Sequence, residues 1–507
     1  MAVTTHKTAT SAEIICYYTG YVILCIAFTM TIPIFTALIF SEWVPLFDFV
    51  ISIAISTIVG IGMILLGWSA KLEKASIQWK HGYVIAAFSW VLLMILCAVP
   101  YYLSGHTNSL LDSCFDVMSG FTTTGLVLTQ DLDHISVSLN MWRHMLTFIG
   151  GQGMVVLALT VMVRNTNGAY RLYVGEAKDI ELVPNVKGTT RLIWKISMIY
   201  LIIGTAALWI DGMFIGLGPV SAFLHALYIF ESAWSTGGFA PMTQNIMYYH
   251  SLSYETISII IFILGSFNFG LHYAIWQGNR KELVKNIETQ SFFITSIAAC
   301  MLTIYGLSKT HLYPNMVSNF RRIIFNILSA HTTTGFGSIY ARQFAHEWGD
   351  FGILILTIVM LIGGSACSTA GGFKGFRIGV LFKGLIMDVK KLLCSERSRK
   401  VYKFHHIKDY ILDDGLLKSA SVIVICYMVL FGIGTLLGTM YGYSLPSAAF
   451  ESASVTGNVG LSIGVTAPGM PRIMKIYYIV AMYMGRLEFL SVFAFIGYVI
   501  EGIKKYV

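Results

Sequence analysis

FDVMSGFTTTGL (115–126), YIFESAWSTGGF (228–239), FNILSAHTTTGF (325–336) and FESASVTGNVGL (450–461) superimpose without a gap. Each window places an aromatic first (Phe115, Tyr228, Phe325, Phe450), a serine four residues later (Ser119, Ser232, Ser329, Ser454) and a glycine six beyond that (Gly125, Gly238, Gly335, Gly460). A bulky apolar residue follows the glycine each time. One TTTG arises by chance, but four aligned windows with matched flanks mark an internal repeat.

Each window closes an apolar segment of about a dozen residues, near 109–125, 222–238, 319–335 and 445–460, too short to cross the roughly 30 Å hydrocarbon layer. These segments read as re-entrant half-helices. Longer apolar runs lie at about 14–40, 46–69, 82–104, 141–163, 192–216, 253–276, 291–308, 350–387, 416–440 and 473–500. The chain is 56% hydrophobic and 12% charged, with mean hydropathy +0.70. Soluble domains carry about 25% charged residues, so that class is excluded. The predicted fold is an all-α polytopic membrane protein: four pseudo-fourfold repeats of transmembrane helix, pore half-helix, filter loop and transmembrane helix, plus an N-terminal two-helix hairpin. The hairpin takes 1–75, and the repeats take 76–165, 190–290, 291–392 and 410–507. The first apolar run is too long for a cleaved signal and reads as an uncleaved span. The eight cysteines show no metal or CxxC spacing and read as apolar fillers.

Charge placement gives topology. Lys71, Lys74 and Lys80, then Arg164, Arg171, Lys178, Lys187, Arg191 and Lys195, then Arg280, Lys281 and Lys285, and then Lys374 to Lys408 occupy alternate loops. The loops at 100–116 and 240–252 have no Lys or Arg. The positive-inside rule puts the basic loops and the N-terminus in the cytoplasm, in a plasma membrane (an inner membrane if the cell has two), and reads the basic stretch as a topology signal rather than a nucleic-acid surface.

Non-helical backbone at membrane depth must be buried by protein or bathed in water. Four such loops around one axis present carbonyls that replace the hydration shell of a monovalent cation. The Thr and Ser residues before each glycine supply hydroxyls to hold the loop, and each half-helix aims its partly negative C-terminus at the centre. The loops hold no carboxylate, which argues against calcium or magnesium. Asp116, Glu231 and Glu451 lie within the half-helices, either bracing the loops or adding negative field. The fourth loop, Gly457-Asn458-Val459-Gly460, lacks the Thr pair, so the ring is chemically uneven.

These windows resemble the superfamily of Trk, Ktr and plant HKT potassium transporters. The resemblance extends to GGQGMVVLAL from Gly150, SFNFGLHY from Ser266, GGSACSTAGGFKGFRI (363–378) and GRLEFLSVF from Gly485, and so covers nearly the whole chain. The N-terminal hairpin and the 164–191 loop are similar to the TrkH type of pore-forming subunit rather than the shorter KtrB type. The fourth loop, GNVGLSIG, looks more like the Ktr pattern. The resemblance implies potassium uptake, with K+ as transported ion and no prosthetic group. It implies ion coordination by the backbone of Thr123, Thr124 and Gly125, of Thr236, Gly237 and Gly238, of Thr333, Thr334 and Gly335, and of Asn458, Val459 and Gly460. It also implies a homodimer in membrane lipid, with a cytosolic ring of nucleotide-binding TrkA-like regulators.

Gly363, Gly364, Gly371, Gly372 and Gly375, with Ser365, Ser368 and Thr369 between them, break an apolar run. Glycine costs about 1 kcal/mol against alanine inside a helix, so the cluster reads as a flexible gate beneath the filter, or else as a close-packing face. Lys374 and Arg377 either couple this loop to a regulator or anchor it at the cytoplasmic interface. Arg486, beside Glu488 in the last span, reads as a pore barrier to cations or as a structural ion pair. Arg143 reads as an outer-interface residue, and His144, His225, His272 and His331 as packing or hydrogen-bonding groups. Other readings are a symporter coupling K+ to Na+ or H+, an organic-solute secondary transporter, for which four parallel repeats are atypical, and a membrane enzyme. No HExxH, paired carboxylates or nucleophile and base at plausible spacing supports the last.

Overall fold

The computed structural model describes residues 9–72, 78–153, 186–309, 312–393 and 402–504. Several sequence expectations lie outside the described residues: Lys74, the 154–163 end of one run, Arg164, Arg171, Lys178, Cys394, Arg397, Arg399 and Lys400.

Among the described residues six helices are long and apolar enough to cross a membrane, and two bent helix pairs raise the number to eight. The six are Ser11–Ile39, Trp43–Leu66, Trp79–Leu103, Gly188–Ile215, Ile287–Ser308 and Asp414–Met440. The first is broken at Met30, between Ser11–Thr29 and Thr31–Ile39. Pro33 explains the break: it has no N–H to offer Thr29 and its ring crowds that carbonyl. The first helix packs on Trp43–Leu66 so closely that a Cβ on Gly20 would strike the Gly60 carbonyl, the small-residue contact that lets membrane helices approach.

Two runs expected to be single spans are bent. Leu252–Ser266 and Phe269–Trp276 meet at 100°, and Arg472–Arg486 and Leu490–Lys504 at 115°. At the first bend Asn268 accepts the Gly270 N–H at 2.7 Å and caps the new helix. At the second, Glu488 and Phe489 both take left-handed backbone, at φ +51° and +70°. The run at 350–387 is also divided, into Gly349–Ile362 and Gly375–Leu392.

Between these lie the four short segments. They are Leu110–Phe121, Pro219–Trp234, a turn Met316–Ile324 leading into Phe325–His331, and Leu445–Thr456. Ser109 and Ser444 cap two of them by accepting first-turn N–H groups, and Pro219 occupies the first turn of another. One element had no sequence expectation: a hairpin pairing Lys403–His406 with Lys408–Ile411, inside the basic stretch.

Candidate functional site

All four short helices end in the same way. The residue just before each glycine donates its N–H to the serine six residues before the glycine: Thr124 to Ser119, Gly237 to Ser232, Thr334 to Ser329 and Val459 to Ser454, each at 2.8 Å. The residue two before each glycine donates three residues back, at 2.9 to 3.2 Å. This pair of bonds is the Schellman termination, which demands left-handed backbone at the second position and normally selects glycine or asparagine there. Asn458 is the ordinary choice, at φ +53°. Thr123, Thr236 and Thr333 occupy it at +55°, +52° and +56°. A β-branched residue in this region is a true outlier and stores strain of about 1–2 kcal/mol.

The hydroxyls compensate. Thr123 and Thr236 donate to the preceding carbonyls at 2.7 Å, and Thr122 pairs with Thr124 and Thr332 with Thr334 at 2.8 Å. Asn458 donates to the Thr124 hydroxyl at 3.0 Å and to the Met482 carbonyl at 2.9 Å.

The glycines then close a ring. A Cβ added to Gly125 would collide with the Gly237 carbonyl, one on Gly238 with Thr334, one on Gly335 with Val459, and one on Gly460 with Thr124. Each contact is between one loop and the next, and the last returns to the first. All four glycines have positive φ, from +68° to +94°. A cavity of about 230 Å³ opens against Gly125, Gly335 and Gly460.

Braces behind the loops come from the residue nine before each glycine. Asp116 accepts the N–H of Leu128 at 2.7 Å and the Thr129 hydroxyl at 2.6 Å. Asn326 accepts the Ser338 N–H at 3.2 Å. Glu451 accepts the N–H groups of Ile463 and Val465 and the Thr466 hydroxyl, at 2.8 to 3.1 Å. In the second copy this position is Ile229, and the donor three after the glycine is replaced by Pro241, which has no N–H to satisfy. Glu231 sits two residues further along and makes no such bond: its Oε2 is buried without a hydrogen-bond partner among the described residues.

Arg143 corrects the expectation of an outer-interface side chain. It is buried behind the second loop, donating to Asn140 at 3.2 Å and to the Ala240 carbonyl at 3.4 Å, with its guanidinium over the Phe239 ring. One backbone carbonyl, one side-chain amide and an aromatic face replace part of the water it loses, while Nε and Nη2 have no hydrogen-bond partner among the described residues. The four histidines make packing or hydrogen-bond contacts, such as His144 stacked on Tyr228 and His331 on the Thr295 hydroxyl at 2.6 Å.

The glycine-rich segment 363–374 is a packed loop and not a loose one. Phe373 and Lys374 donate back to Leu361 and Ile362 at 2.8 and 2.9 Å, and a Cβ on Gly363 would collide with the Gly371 carbonyl. Gly364 packs on Ala370, and Gly372 on Gly363. The Ser368 hydroxyl donates to Ser365 at 2.6 Å. The Thr369 hydroxyl lies among the Gly265 and Trp234 carbonyls and the Thr236 hydroxyl, at 2.9, 3.0 and 3.2 Å. The Gly371 N–H donates to the Thr333 hydroxyl at 2.8 Å, and Gly371 abuts the Gly457 carbonyl. The loop therefore touches the second, third and fourth glycine loops.

Arg486 reaches this assembly from the last bend. It donates to the Thr369 carbonyl and to those of Gly150 and Gly151, the latter two at 2.9 and 3.2 Å. It does not pair with its neighbour Glu488. Glu488 instead binds Lys374, at 2.6 Å, and Arg377; Lys374 and Glu488 are buried and Arg377 is partly exposed. Lys374 and Arg377 thus tie the loop to the last bend. Sequence reasoning also missed Glu288, which accepts the Ala366 N–H of the loop at 2.6 Å. Its neighbour Asn286 is bonded to His406 of the hairpin at 3.3 Å.

Among the described residues no group of His, Cys, Asp and Glu is arranged to hold a metal ion. The site is instead built of carbonyls and hydroxyls.

The profile of the TrkH family, described as a cation transport protein, matches residues 45–497. An uncharacterized cation transporter of Methanocaldococcus jannaschii is 28% identical over 421 residues, 83% of each chain. The Trk system potassium uptake protein TrkH of Salmonella typhimurium is 26% identical over 484 residues, 92% of this chain and 95% of its own. The crystal structure of the potassium transporter TrkH from Vibrio parahaemolyticus superposes with a TM-score of 0.80 at 22% identity, over 95% of this chain and 97% of that one, which establishes a common fold.

Proposed function

Because the chain belongs to the TrkH family of cation transport proteins, we propose that it takes up K+ through a filter made by its four glycine loops. It is a multi-pass membrane protein and a transporter rather than an enzyme. The observation that carries the proposal is the closed ring of glycine-to-carbonyl contacts, 125 to 237, 238 to 334, 335 to 459 and 460 to 124. Four Schellman ends turn four segments of the chain toward one centre and leave carbonyls there in place of water. The helix C-termini that precede them add a negative potential favouring a cation. On this reading the coordinating backbone is that of residues 123–125, 236–238, 333–335 and 458–460, in four repeats at 76–165, 190–290, 291–392 and 410–507 after the 1–75 hairpin.

The loop 363–374 is the gate, placed against three of the four filter segments and held closed by Arg486 and by the Lys374–Arg377–Glu488 cluster. A positive guanidinium among carbonyls at this point also opposes passage of a cation. The relatives are named as Trk system components, and we extend that reading to a homodimer with a cytosolic TrkA-like regulatory ring and a cytoplasmic N-terminus in the plasma membrane.

The test is rescue of growth and Rb+ uptake in a bacterium lacking its own potassium uptake, with the sodium and proton gradients varied separately. K+-selective rescue independent of both gradients supports a gated pore. Rescue that collapses with one gradient identifies a symporter. No uptake from a protein correctly inserted in the membrane rejects the assignment.

A further inference from the structure

We infer that Asn245 is a positioning residue that forms the fourth wall of the filter mouth and sets its preference among monovalent cations; this rests on the filter reading above. Three of the ring glycines, Gly125, Gly335 and Gly460, line the outer cavity, whereas in the second repeat Asn245 lines it and Gly238 does not. The Asn245 carboxamide covers that glycine. Its Nδ2 donates to the Gly238 carbonyl at 3.4 Å. Its Oδ1 accepts the Ile246 N–H at 2.8 Å and the Gly337 N–H at 3.3 Å. One side chain thus joins the carbonyl of the second filter glycine to the backbone just beyond the third.

The second repeat has reason to need it. The other three loops are braced from behind by Asp116, Asn326 and Glu451. Here Ile229 and Pro241 remove both acceptor and donor, so no such brace forms. The backbone at Asn245 is itself left-handed, φ +55°, and its N–H is bonded to Met242 at 3.0 Å, which fixes the direction of the carboxamide. Asparagine tolerates that conformation better than most residues.

The bond has a chemical consequence for ions. A carbonyl already accepting an N–H is a weaker ligand than a free one, and the Nδ2–H₂ group presents positive hydrogens at the mouth. An arriving cation meets three glycine faces and one donor. The outermost position is therefore made selective by shape and dipole, with no carboxylate to favour small or divalent ions.

Asn245→Asp keeps the accepting oxygen for Ile246 and Gly337 but loses the donor to Gly238 and adds a charge. Asn245→Ala loses every bond. K+ uptake kinetics and Na+ competition are measured in whole cells at two ionic strengths, alongside Gly335→Ser. For Asn245→Asp the K+ KM falls about fivefold at low salt and the difference shrinks at high salt, because the added charge is screened. For Asn245→Ala the K+/Na+ preference falls roughly fivefold, the size of one net hydrogen bond, with maximal rate retained. If alanine prevents insertion, the near-isosteric aspartate variant decides alone. Wild-type KM and preference in Asn245→Asp, with Gly335→Ser altered, overturn the clamp and leave the filter standing. Wild-type behaviour in both variants overturns the filter reading and the clamp with it.

Discussion

Replacing Gly335 by serine strikes the ring at the junction of the third and fourth loops. Gly335 has φ +79°, and a Cβ there would collide with the Val459 carbonyl and come within 3.1 Å of the Gly460 Cα. Two costs add. Left-handed backbone costs an L-residue about 1–2 kcal/mol. Forcing a group into a packed site costs about 1–3 kcal/mol. The sum, about 2–5 kcal/mol, is below the roughly 5–15 kcal/mol that holds a typical domain together, so the variant still folds. Gly335 itself cannot retreat: its N–H is bonded to Ser329 at 3.3 Å, and the Ser329 hydroxyl holds the Phe336 carbonyl at 2.8 Å. The Val459 carbonyl moves instead, and that carbonyl is a proposed ion ligand. If about 1.4 kcal/mol of the strain falls unequally on the K+-bound and Na+-bound states, the preference changes tenfold. Rb+ uptake with Na+ competition, normalised to the amount of protein in the membrane, reads this directly. Gly442→Ser is the control: it has φ +88° but no atom within 4 Å of its Cβ, so it bears the backbone cost without touching a carbonyl. Wild-type preference in Gly335→Ser at normal abundance, or an equal change in Gly442→Ser, refutes the reasoning.

Three further outcomes follow from the same geometry. Arg486→Ala removes charged hydrogen bonds to Thr369, Gly150 and Gly151; one such bond, about 1.5–3 kcal/mol, shifts a closed-to-open equilibrium by roughly 10- to 100-fold, so basal K+ flux into proteoliposomes rises. Glu488→Gln leaves the buried Lys374 and its neighbour Arg377 without their carboxylate, which costs about 3–5 kcal/mol and is read as a lower melting temperature in detergent. In the hairpin outside the spans, hydrogen bonding to Glu282 and then to Asp409 raises the His405 pKa above its ordinary 6.5. That stabilisation is complete below 6.5 and is lost as pH rises through the raised value, so as pH rises from 6.5 through that value the wild type loses more thermal stability than His405→Gln.

Much of this was legible in the sequence because each repeat must solve the same local problem. The residue six before each glycine receives, on its main-chain carbonyl, the bond that ends the short helix, so the distance from helix end to glycine is the same in all four windows. The same alignment carries a signal left unread: Asp116, Asn326 and Glu451 share one position, and the exception pairs Ile229 with Pro241, an acceptor and a donor lost together. Asn458 was also informative, since asparagine in place of threonine points to left-handed backbone. Other features had no local signature. Arg143 looked like an interface residue because its partners, Ala240 and Phe239, are almost a hundred residues away. The last bend falls at Glu488 and Phe489, neither a usual breaker, and is held by Lys374 and Arg377 from another repeat. The hairpin at 403–411 was hidden because its lysines read as a topology signal, although Lys403 and Lys408 lie in paired strands.

The loop and the ring share hydrogen bonds, and this changes what opening must involve. Five glycines between 363 and 375 suggest a segment free to swing aside. In the fold those glycines serve close approach: Gly363 meets Gly371, and Gly371 meets Gly457. Moving the loop therefore breaks the Gly371-to-Thr333 bond and separates Thr369 from Thr236, both residues at strained positions of the ring. The Schellman strain at Thr333 is offset by the bond it accepts from the loop; once that bond is gone, the strain is free to relax. On the proposed reading, a gate built in this way cannot open without altering the second, third and fourth filter segments. The first segment is reached through the fourth, whose Asn458 donates to the Thr124 hydroxyl. On that reading opening and ion preference are coupled through the glycine loops that the 363–374 segment touches, and a substitution at Thr333 that keeps the backbone but removes the hydroxyl, such as Thr333→Val, changes both together.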